Sequence, residues 1–196
     1  MNKRTKSNSI RIIAGQWRGR RLSVLDSDGL RPTTDRVRET LFNWLMHDVA
    51  GASCLDLFAG SGVLGVECLS RGASDVDFVE SNKAVARNLQ ENLEVLLGGK
   101  GIEKANVNHQ DAIDFLNSSS HKKYDIVFVD PPFQSTLAID SIQLLSECNW
   151  LNENSLVYLE QDSHHEVLDV PESWELYRQG KAGQSAYFVY AVKGIE

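Results

Sequence analysis

Apolar residues recur along this chain in two periods, and the periods alternate. Ser53-Cys-Leu-Asp-Leu-Phe58, Asp75-Val-Asp-Phe-Val-Glu80, Ala105–His109, Tyr124–Val129 and Ser155–Glu160 are short runs rich in β-branched and aromatic residues. Such runs predict strands, several of them buried on both faces. The intervening stretches carry apolar residues at helical spacing: from Gly62 to about Ser70, from Asn82 to Leu97, from Asp111 to about Leu116, and from Leu137 to Cys148. Strand and helix in strict alternation predict an α/β domain built on a mostly parallel sheet. Two late β-rich runs, near 175–179 and 186–192, predict an antiparallel pair closing one edge.

The first fifty residues read differently. Ile10–Ala14 and Arg21–Leu25 flank Gly15-Gln-Trp-Arg-Gly19, which predicts a β-hairpin with Trp17 and Arg18 on an exposed tip. Thr33 or Thr34 is a candidate N-cap for a helix reaching about Asp48, with Val37, Leu41, Leu45 and Val49 on its apolar stripe and Arg36 and Arg38 in its first turn. The expected division is a basic arm and hairpin over residues 1–30, then one domain over 31–196.

Chemistry collects at the ends of the strands. Gly60-Ser-Gly-Val-Leu-Gly65 has the glycine spacing of a nucleotide-binding turn between strand and helix, a weak signal by itself. Asp56, Glu80, Asp111 and Asp130 stand at or just past four successive strand ends. Each alone reads as well as a helix cap or a solvated acid; four in succession argue for a ligand at the carboxyl edge of the sheet. Asp56 would repel a pyrophosphate and attract an ammonium, Glu80 is placed to accept from two ribose hydroxyls, and Asp111 from an adenine amine. S-adenosylmethionine offers all three groups and no phosphate.

Asp130 opens Asp130-Pro-Pro-Phe133, where the prolines stop the strand because neither can donate to a ladder. A carboxylate beside a rigid carbonyl can grip both protons of an exocyclic amine, and Phe133 can stack on the base that bears it. A strand-ending turn is the plainer reading of the same four residues.

Charge adds a partner. The net charge is −7, yet residues 1–21 hold seven basic side chains and no acid. A basic arm on an acidic body predicts contact with a polyanion, against the alternative of a solubilising tail, which fits Met1–Ser9 equally well. Indole and guanidinium groups interleaved at Trp17, Arg18, Arg20 and Arg21 suit stacking on bases and pairing with phosphates. No stretch approaches a membrane span, and Met1–Ile10 lacks the apolar core of a signal peptide. Cys54, Cys68 and Cys148, odd in number and set in apolar segments, predict buried reduced thiols and a cytoplasmic protein. His164-His165 has no third ligand nearby, so no metal is expected.

Leu55-Asp-Leu-Phe-Ala-Gly-Ser-Gly-Val-Leu-Gly65 resembles the cofactor loop of class I S-adenosylmethionine-dependent methyltransferases, and Asp130-Pro-Pro-Phe133 resembles the catalytic motif of those that act on amines. More narrowly, Arg11-Ile-Ile-Ala-Gly15, Arg31-Pro-Thr-Thr-Asp-Arg-Val-Arg-Glu39 and Lys181-Ala-Gly-Gln184 resemble the RsmD family of bacterial small-subunit ribosomal RNA guanine-N2 methyltransferases, along essentially the whole chain. The resemblance implies a seven-stranded Rossmann-like sheet with helices on both faces and a small N-terminal hairpin extension. It implies that the segment around Arg31–Arg36 folds over the methionine end of the cofactor. Arg36, Phe58, Ala59, Gly60, Ser61, Gly62, Ser81 and Ala112 then join the acids as cofactor residues; Asp130, Pro131, Pro132 and Phe133 are catalytic; Arg11, Trp17, Arg18, Arg20, Arg21, Arg31 and Lys181 meet RNA. The implied target is a guanine N2 in 16S ribosomal RNA, guanine 966 in the usual rRNA numbering, presented as free RNA, a 30S subunit or an assembly intermediate to a monomeric enzyme.

Three other readings stay open at this point. Asp-Pro-Pro-aromatic also serves adenine-N6 methyltransferases of DNA, although no target-recognition domain accompanies it here. A nicotinamide-dependent dehydrogenase would need a hydride-transfer site that the chain does not offer. A noncatalytic RNA-binding protein on an inherited fold would have little use for an intact amine-gripping corner.

Overall fold

The computed structural model describes residues 8–25, 34–99, 101–118, 122–132 and 135–193. A two-stranded hairpin, β1 (Asn8–Arg11) and β2 (Arg21–Val24), precedes α1 (Asp35–Trp44). The remaining elements are β3 (Ser53–Asp56), α2 (Val63–Ser70), β4 (Asp75–Val79), α3 (Lys83–Leu97), β5 (Ala105–Asn108), α4 (Ala112–Asn117), β6 (Tyr124–Val129), α5 (Leu137–Glu147), β7 (Leu151–Asp162), β8 (Trp174–Ala182) and β9 (Ser185–Val192). Seven strands form one sheet in the order β5-β4-β3-β6-β7-β9-β8, and only β9 runs against the others.

Strand alternation sorts the core into two layers. One face presents Cys54, Val76, Phe78, Ile126, Phe128 and Tyr158 to the apolar sides of α1, α2 and α3. The other presents Leu55, Val79, Val127, Val129, Val157 and Leu159 to α4, α5 and Trp150. Burial on both faces explains why the central strands read as unbroken apolar runs. Gly65 allows α2 to lie close to the sheet, because a Cβ there would meet the Phe78 ring at 2.3 Å.

The topology reverses at β3: the chain steps outward through β4 and β5, then crosses back to place β6 on the other side of β3. Such a switch point opens a crevice at the carboxyl ends of the strands, where α/β sheets bind ligands.

Four expectations from the sequence need adjustment. β7 runs from Leu151 to Asp162, longer at both ends than the apolar run, because Leu151 pairs with Tyr124 on β6, and Gln161 and Asp162 with Ala186 and Ser185 on β9. α1 stops at Trp44, four residues short, and the chain turns through Leu45 to Val49. Cys148 is exposed, unlike Cys54 and Cys68, because it caps the end of α5, beyond the buried stripe. Trp17 is not exposed at the hairpin tip; it is 7% exposed and part of the core.

The reason lies in how the tip docks on α2. Gln16 N–H donates to Ser70 O at 2.7 Å, Trp17 N–H to Ser70 Oγ at 3.0 Å, and Ser70 Oγ–H to Ala14 O at 2.6 Å. Gly15 takes a φ of +80° there, and a Cβ on it would sit 1.9 Å from Ser70 O. Ile12, Trp17 and Leu22 thereby share one core with the sheet.

Candidate active site

Four neighbouring strands, β5, β4, β3 and β6, deliver the four acids to one edge. Asp56 ends β3 and is 3% exposed; its Oδ2 accepts from Gly65 N–H at 3.0 Å. Gly62, the residue before α2, has no side chain to cap the helix and a φ of +71°, so Asp56 supplies the missing cap from across the turn. Burial pushes its carboxyl up from 3.8 to about 7, with the Gly65 bond opposing and Glu80 adding to the rise.

Glu80, half-buried after β4, braces the glycine turn. Its Oε2 accepts from Gly60 N–H at 2.9 Å and its Oε1 from Asn82 N–H at 2.7 Å. A carboxylate has about four acceptor positions, so each oxygen keeps capacity for a further donor. The turn itself is held by Ala59 N–H to Val79 O at 2.9 Å and Gly62 N–H to Ala59 O at 2.6 Å. Ala59 and Gly60 are buried, and Phe58 and Ser61 are partly open. A Cβ on Gly62 would meet the end of the Leu89 side chain at 2.3 Å, and its φ of +71° is one that residues with a side chain rarely adopt, so a substitution at the start of α2 is strained.

Past β5, Asp111 caps α4 by accepting from Ile113 N–H at 2.8 Å, with Ala112 buried behind it. Ser81 is exposed, and its carbonyl meets His109 Nε2 at 3.1 Å, which ties the ends of β4 and β5 together. The cap reading and the ligand reading of these acids are thus compatible: Asp56 and Asp111 are each fixed by one backbone donor and Glu80 by two, which orients their remaining lone pairs.

Asp130 follows β6 directly and is partly exposed, with Pro131 buried and Pro132 open. The Pro132 carbonyl accepts from Ser135 N–H at 3.2 Å and from Ser135 Oγ–H at 2.7 Å, so the turn is pinned from behind. Phe133 and Arg31 lie outside the described residues. Arg36 is exposed in the first turn of α1, whose N-cap is Thr34.

The basic residues separate into two sets. Arg11, Arg18 and Arg21 are exposed on the hairpin; Arg21 Nε donates to Ser9 Oγ at 2.8 Å. Arg20 is committed to α3, where its guanidinium donates to the Val95 and Leu96 carbonyls at 2.9 and 3.2 Å, a cation closing a helix C-terminus. Lys181 is exposed on β8 beside the β8–β9 turn. Because β8 runs parallel to β6 and β7, that turn lies at the same sheet edge as Asp130.

The sequence reading passed over Tyr158 and Glu160, which the fold brings to this edge. Tyr158 is buried, and its hydroxyl donates to Glu160 Oε2 at 2.6 Å. The available signal was an acid two residues beyond a tyrosine at the end of β7, hence on the same face. Arg38 and Glu67 were also unread as a pair; both are fully buried, with Arg38 Nη1 donating to Glu67 Oε1 at 3.1 Å.

The family model described as Conserved hypothetical protein 95 matches residues 10–191. Ribosomal RNA small subunit methyltransferase D of Escherichia coli K12 is 48% identical over 94% of this chain and 90% of its own length. That of Haemophilus influenzae is 48% identical over 92% and 93%. The solved structure of Escherichia coli yhhF overlays with a TM-score of 0.87 at 45% identity, covering 95% of this chain and 99% of that one. The structure of SMU.776 complexed with SAH shares the fold at a TM-score of 0.73 and 16% identity, over 97% of this chain and 57% of its own. With nearly half of its residues shared along almost its full length, the chain belongs to the ribosomal RNA small subunit methyltransferase D family.

Proposed function

We propose that the protein methylates the N2 amino group of a guanine in small-subunit ribosomal RNA, guanine 966 in the usual rRNA numbering. The activity at its coarser level is that of an S-adenosylmethionine-dependent methyltransferase of small-subunit ribosomal RNA. The observation that carries the finer reading is the adjacency of Asp130-Pro131 on β6 to the three acids on β3, β4 and β5. One half of the crevice suits a cofactor and the other an amine.

The donor set fits S-adenosylmethionine. Asp56, buried and without a cationic partner among the described residues, suits the ammonium of an amino acid. Glu80 retains lone pairs for ribose hydroxyls and Asp111 for the adenine amine, and Gly60 carries no side chain to hold a ligand off the turn. The bound cofactor supplies an electrophilic methyl group on a sulfonium. Asp130 and the Pro131 carbonyl accept the two N–H bonds of the guanine amine and let the nitrogen pyramidalise, which frees its lone pair. Most of the rate enhancement then comes from holding that nitrogen in line. Phe133 stacks on the base, which leaves its helix to enter the pocket. Asp130 takes the amine's proton as its acidity rises, or passes it to water.

Transfer of labelled methyl to ribosomal RNA and to small subunits, followed by nucleoside analysis, tests this reading; N2-methylguanosine is expected. Recovery of N6-methyladenosine instead would establish the adenine alternative that the same tetrapeptide allows.

Cofactor affinity carries a pH signature. An Asp56 carboxyl raised to about 7 in the free protein is protonated below that pH, and pairing with an ammonium requires it ionised. Binding below pH 7 therefore includes a proton release, and affinity is expected to fall by up to about tenfold per pH unit there. For folding the sign is opposite: a raised carboxylate pKa favours the fold at low pH, and that stability is lost as pH rises from about 4 to about 7. Calorimetry in buffers of different ionisation enthalpy reads the released proton directly. A pH-independent affinity from 5.5 to 8 would remove Asp56 from the ammonium site.

The hairpin arginines supply the RNA attraction that the acidic body lacks. Arg18, Arg20 and Arg21 are all exposed, and Arg20 also donates to the carbonyls that end α3. Replacing Arg18 and Arg21 with alanine is expected to flatten the dependence of log affinity on log salt by about 1.4 on single-stranded RNA, at about 0.7 per phosphate contact. Filter binding across a salt series measures it, and an unchanged slope would mean these two side chains touch no phosphate.

A further inference from the structure

Beside the Asp130 corner lies a second carboxylate that the chemistry above leaves unused. β6 and β7 are parallel, with Phe128 opposite Tyr158 and Val129 opposite Leu159, so Asp130 and Glu160 follow as neighbours on backbones about 4.8 Å apart. Phe128 and Tyr158 share a face, and residues two further along share it with them. Asp130 and Glu160 thus leave the sheet on the same side, and the Tyr158 hydroxyl feels the charge of both.

Glu160 is 6% exposed. No lysine or arginine pairs with it among the described residues. Tyr158 donates to Oε2 at 2.6 Å, and burial followed by the Glu160 and Asp130 charges holds that hydroxyl protonated, well above the usual tyrosine range. One oxygen is therefore anchored by a fixed donor, while Oε1 has no hydrogen-bond donor among the described residues. A carboxylate buried with one neutral hydrogen bond and no cation is poorly compensated by the protein alone. A ligand donor at Oε1 would complete it.

We propose that Glu160 is a specificity-determining residue that accepts the N1–H of the target guanine while Asp130 and Pro131 hold the N2 amine. The chemistry follows from the bases. Of the two ring nitrogens that flank the amine-bearing carbon of guanine, N1 carries a hydrogen and is a donor; the one ring nitrogen that flanks the amine-bearing carbon of adenine or cytosine is an acceptor. A carboxylate beside the amine pocket attracts the first and repels the other two, which settles the choice of base that Asp-Pro-Pro-Phe leaves open. Tyr158 acts through Glu160 as a positioning residue. The inference rests on the guanine-N2 reading and deepens it.

The test uses small subunits reconstituted with ribosomal RNA carrying either guanine or 2,6-diaminopurine at the target position. Diaminopurine keeps the N2 amine but presents an unprotonated N1. The unaltered enzyme is expected to prefer guanine by at least about 100-fold, as a site built around one hydrogen bond rejects an analogue lacking it. Glu160→Gln, whose amide can donate to that N1, narrows the ratio at least about tenfold. Tyr158→Phe, which removes only the anchoring hydroxyl, narrows it about threefold. Calorimetric affinity for S-adenosylmethionine stays within about twofold for both variants, since neither residue belongs to the cofactor half. Equal rates on the two bases by the unaltered enzyme overturn the proposal, as does a Glu160→Gln ratio equal to the parent's. Should Glu160→Gln fail to fold, an unchanged ratio in Tyr158→Phe overturns it. Nucleoside analysis separates the two levels: a product other than N2-methylguanosine removes the guanine-N2 reading and this one with it. N2-methylguanosine with unchanged ratios removes only the role of Glu160.

Discussion

Asp130→Ala is expected to lower kcat on ribosomal RNA roughly 10²–10³-fold, the usual cost of removing one positioned polar group from a reacting centre. Affinity for S-adenosylmethionine should stay within about twofold, because Asp130 follows β6 while the acids proposed for the cofactor stand at the ends of β3, β4 and β5. The aspartate ends a strand of which four residues, Ile126 to Val129, are buried almost completely, and the following turn is tied down through Ser135. A carboxylate on so rigid a mount loses little entropy when it grips an amine, and an alanine there leaves the backbone acceptors in place but ungoverned. Glu80→Ala provides the contrast. It should weaken cofactor binding while sparing saturated kcat, since its partners are Gly60 of the turn proposed for the cofactor and Asn82, the cap of α3. Single-turnover rates with preformed cofactor complex separate the two effects. Turnover of Asp130→Ala equal to that of the parent would sink the proposed corner.

The placement of those two residues at strand ends was legible because their signals are local. Asp130 is announced by a buried run followed by two prolines, and Glu80 by a second run followed by a helix cap at Asn82. The sheet order was also within reach, since alternating periods fix a parallel α/β arrangement and its crevice. What the sequence concealed depends on contacts between distant segments. Trp17 looks like an exposed tip residue because glycines and arginines surround it, yet Ser70, 53 positions away, draws the tip onto α2. Arg20 looks like a phosphate ligand, and the sequence gives no sign that it also closes α3, 75 and 76 positions away. Glu160 has an ordinary strand-end signal and gains interest only when β6 is laid beside β7. Guanidinium groups in particular read alike whether they face RNA or cap a helix.

The largest stability effect is expected at Glu67, a residue that no motif marks. Glu67 and Arg38 are both fully buried, and three segments meet on them. Glu67 Oε1 accepts from Ile13 N–H of the hairpin tip and from Arg38 Nη1 of α1, and Oε2 from Arg71 Nε at 3.4 Å. Arg38 Nη2 donates onward to the Arg11 carbonyl at 3.0 Å and to the more exposed Asp35 Oδ1 at 2.7 Å, while its Nε has no partner among the described residues. Glu67→Ala strips a buried guanidinium of its buried counter-charge and the hairpin of one anchor, which should cost about 3–5 kcal/mol of folding stability. Replacing both Arg38 and Glu67 by methionine should cost far less, because it removes two desolvation penalties along with one attraction. Urea unfolding midpoints give both numbers, and amide exchange at Ile13 and Gln16 reports whether the hairpin lifts off α2 in the single variant. A Glu67→Ala protein within about 1 kcal/mol of the parent, less than an ordinary surface-to-core contrast, would mean that the hairpin holds its place through Ser70 and the apolar contacts of Ile12, Trp17 and Leu22 alone.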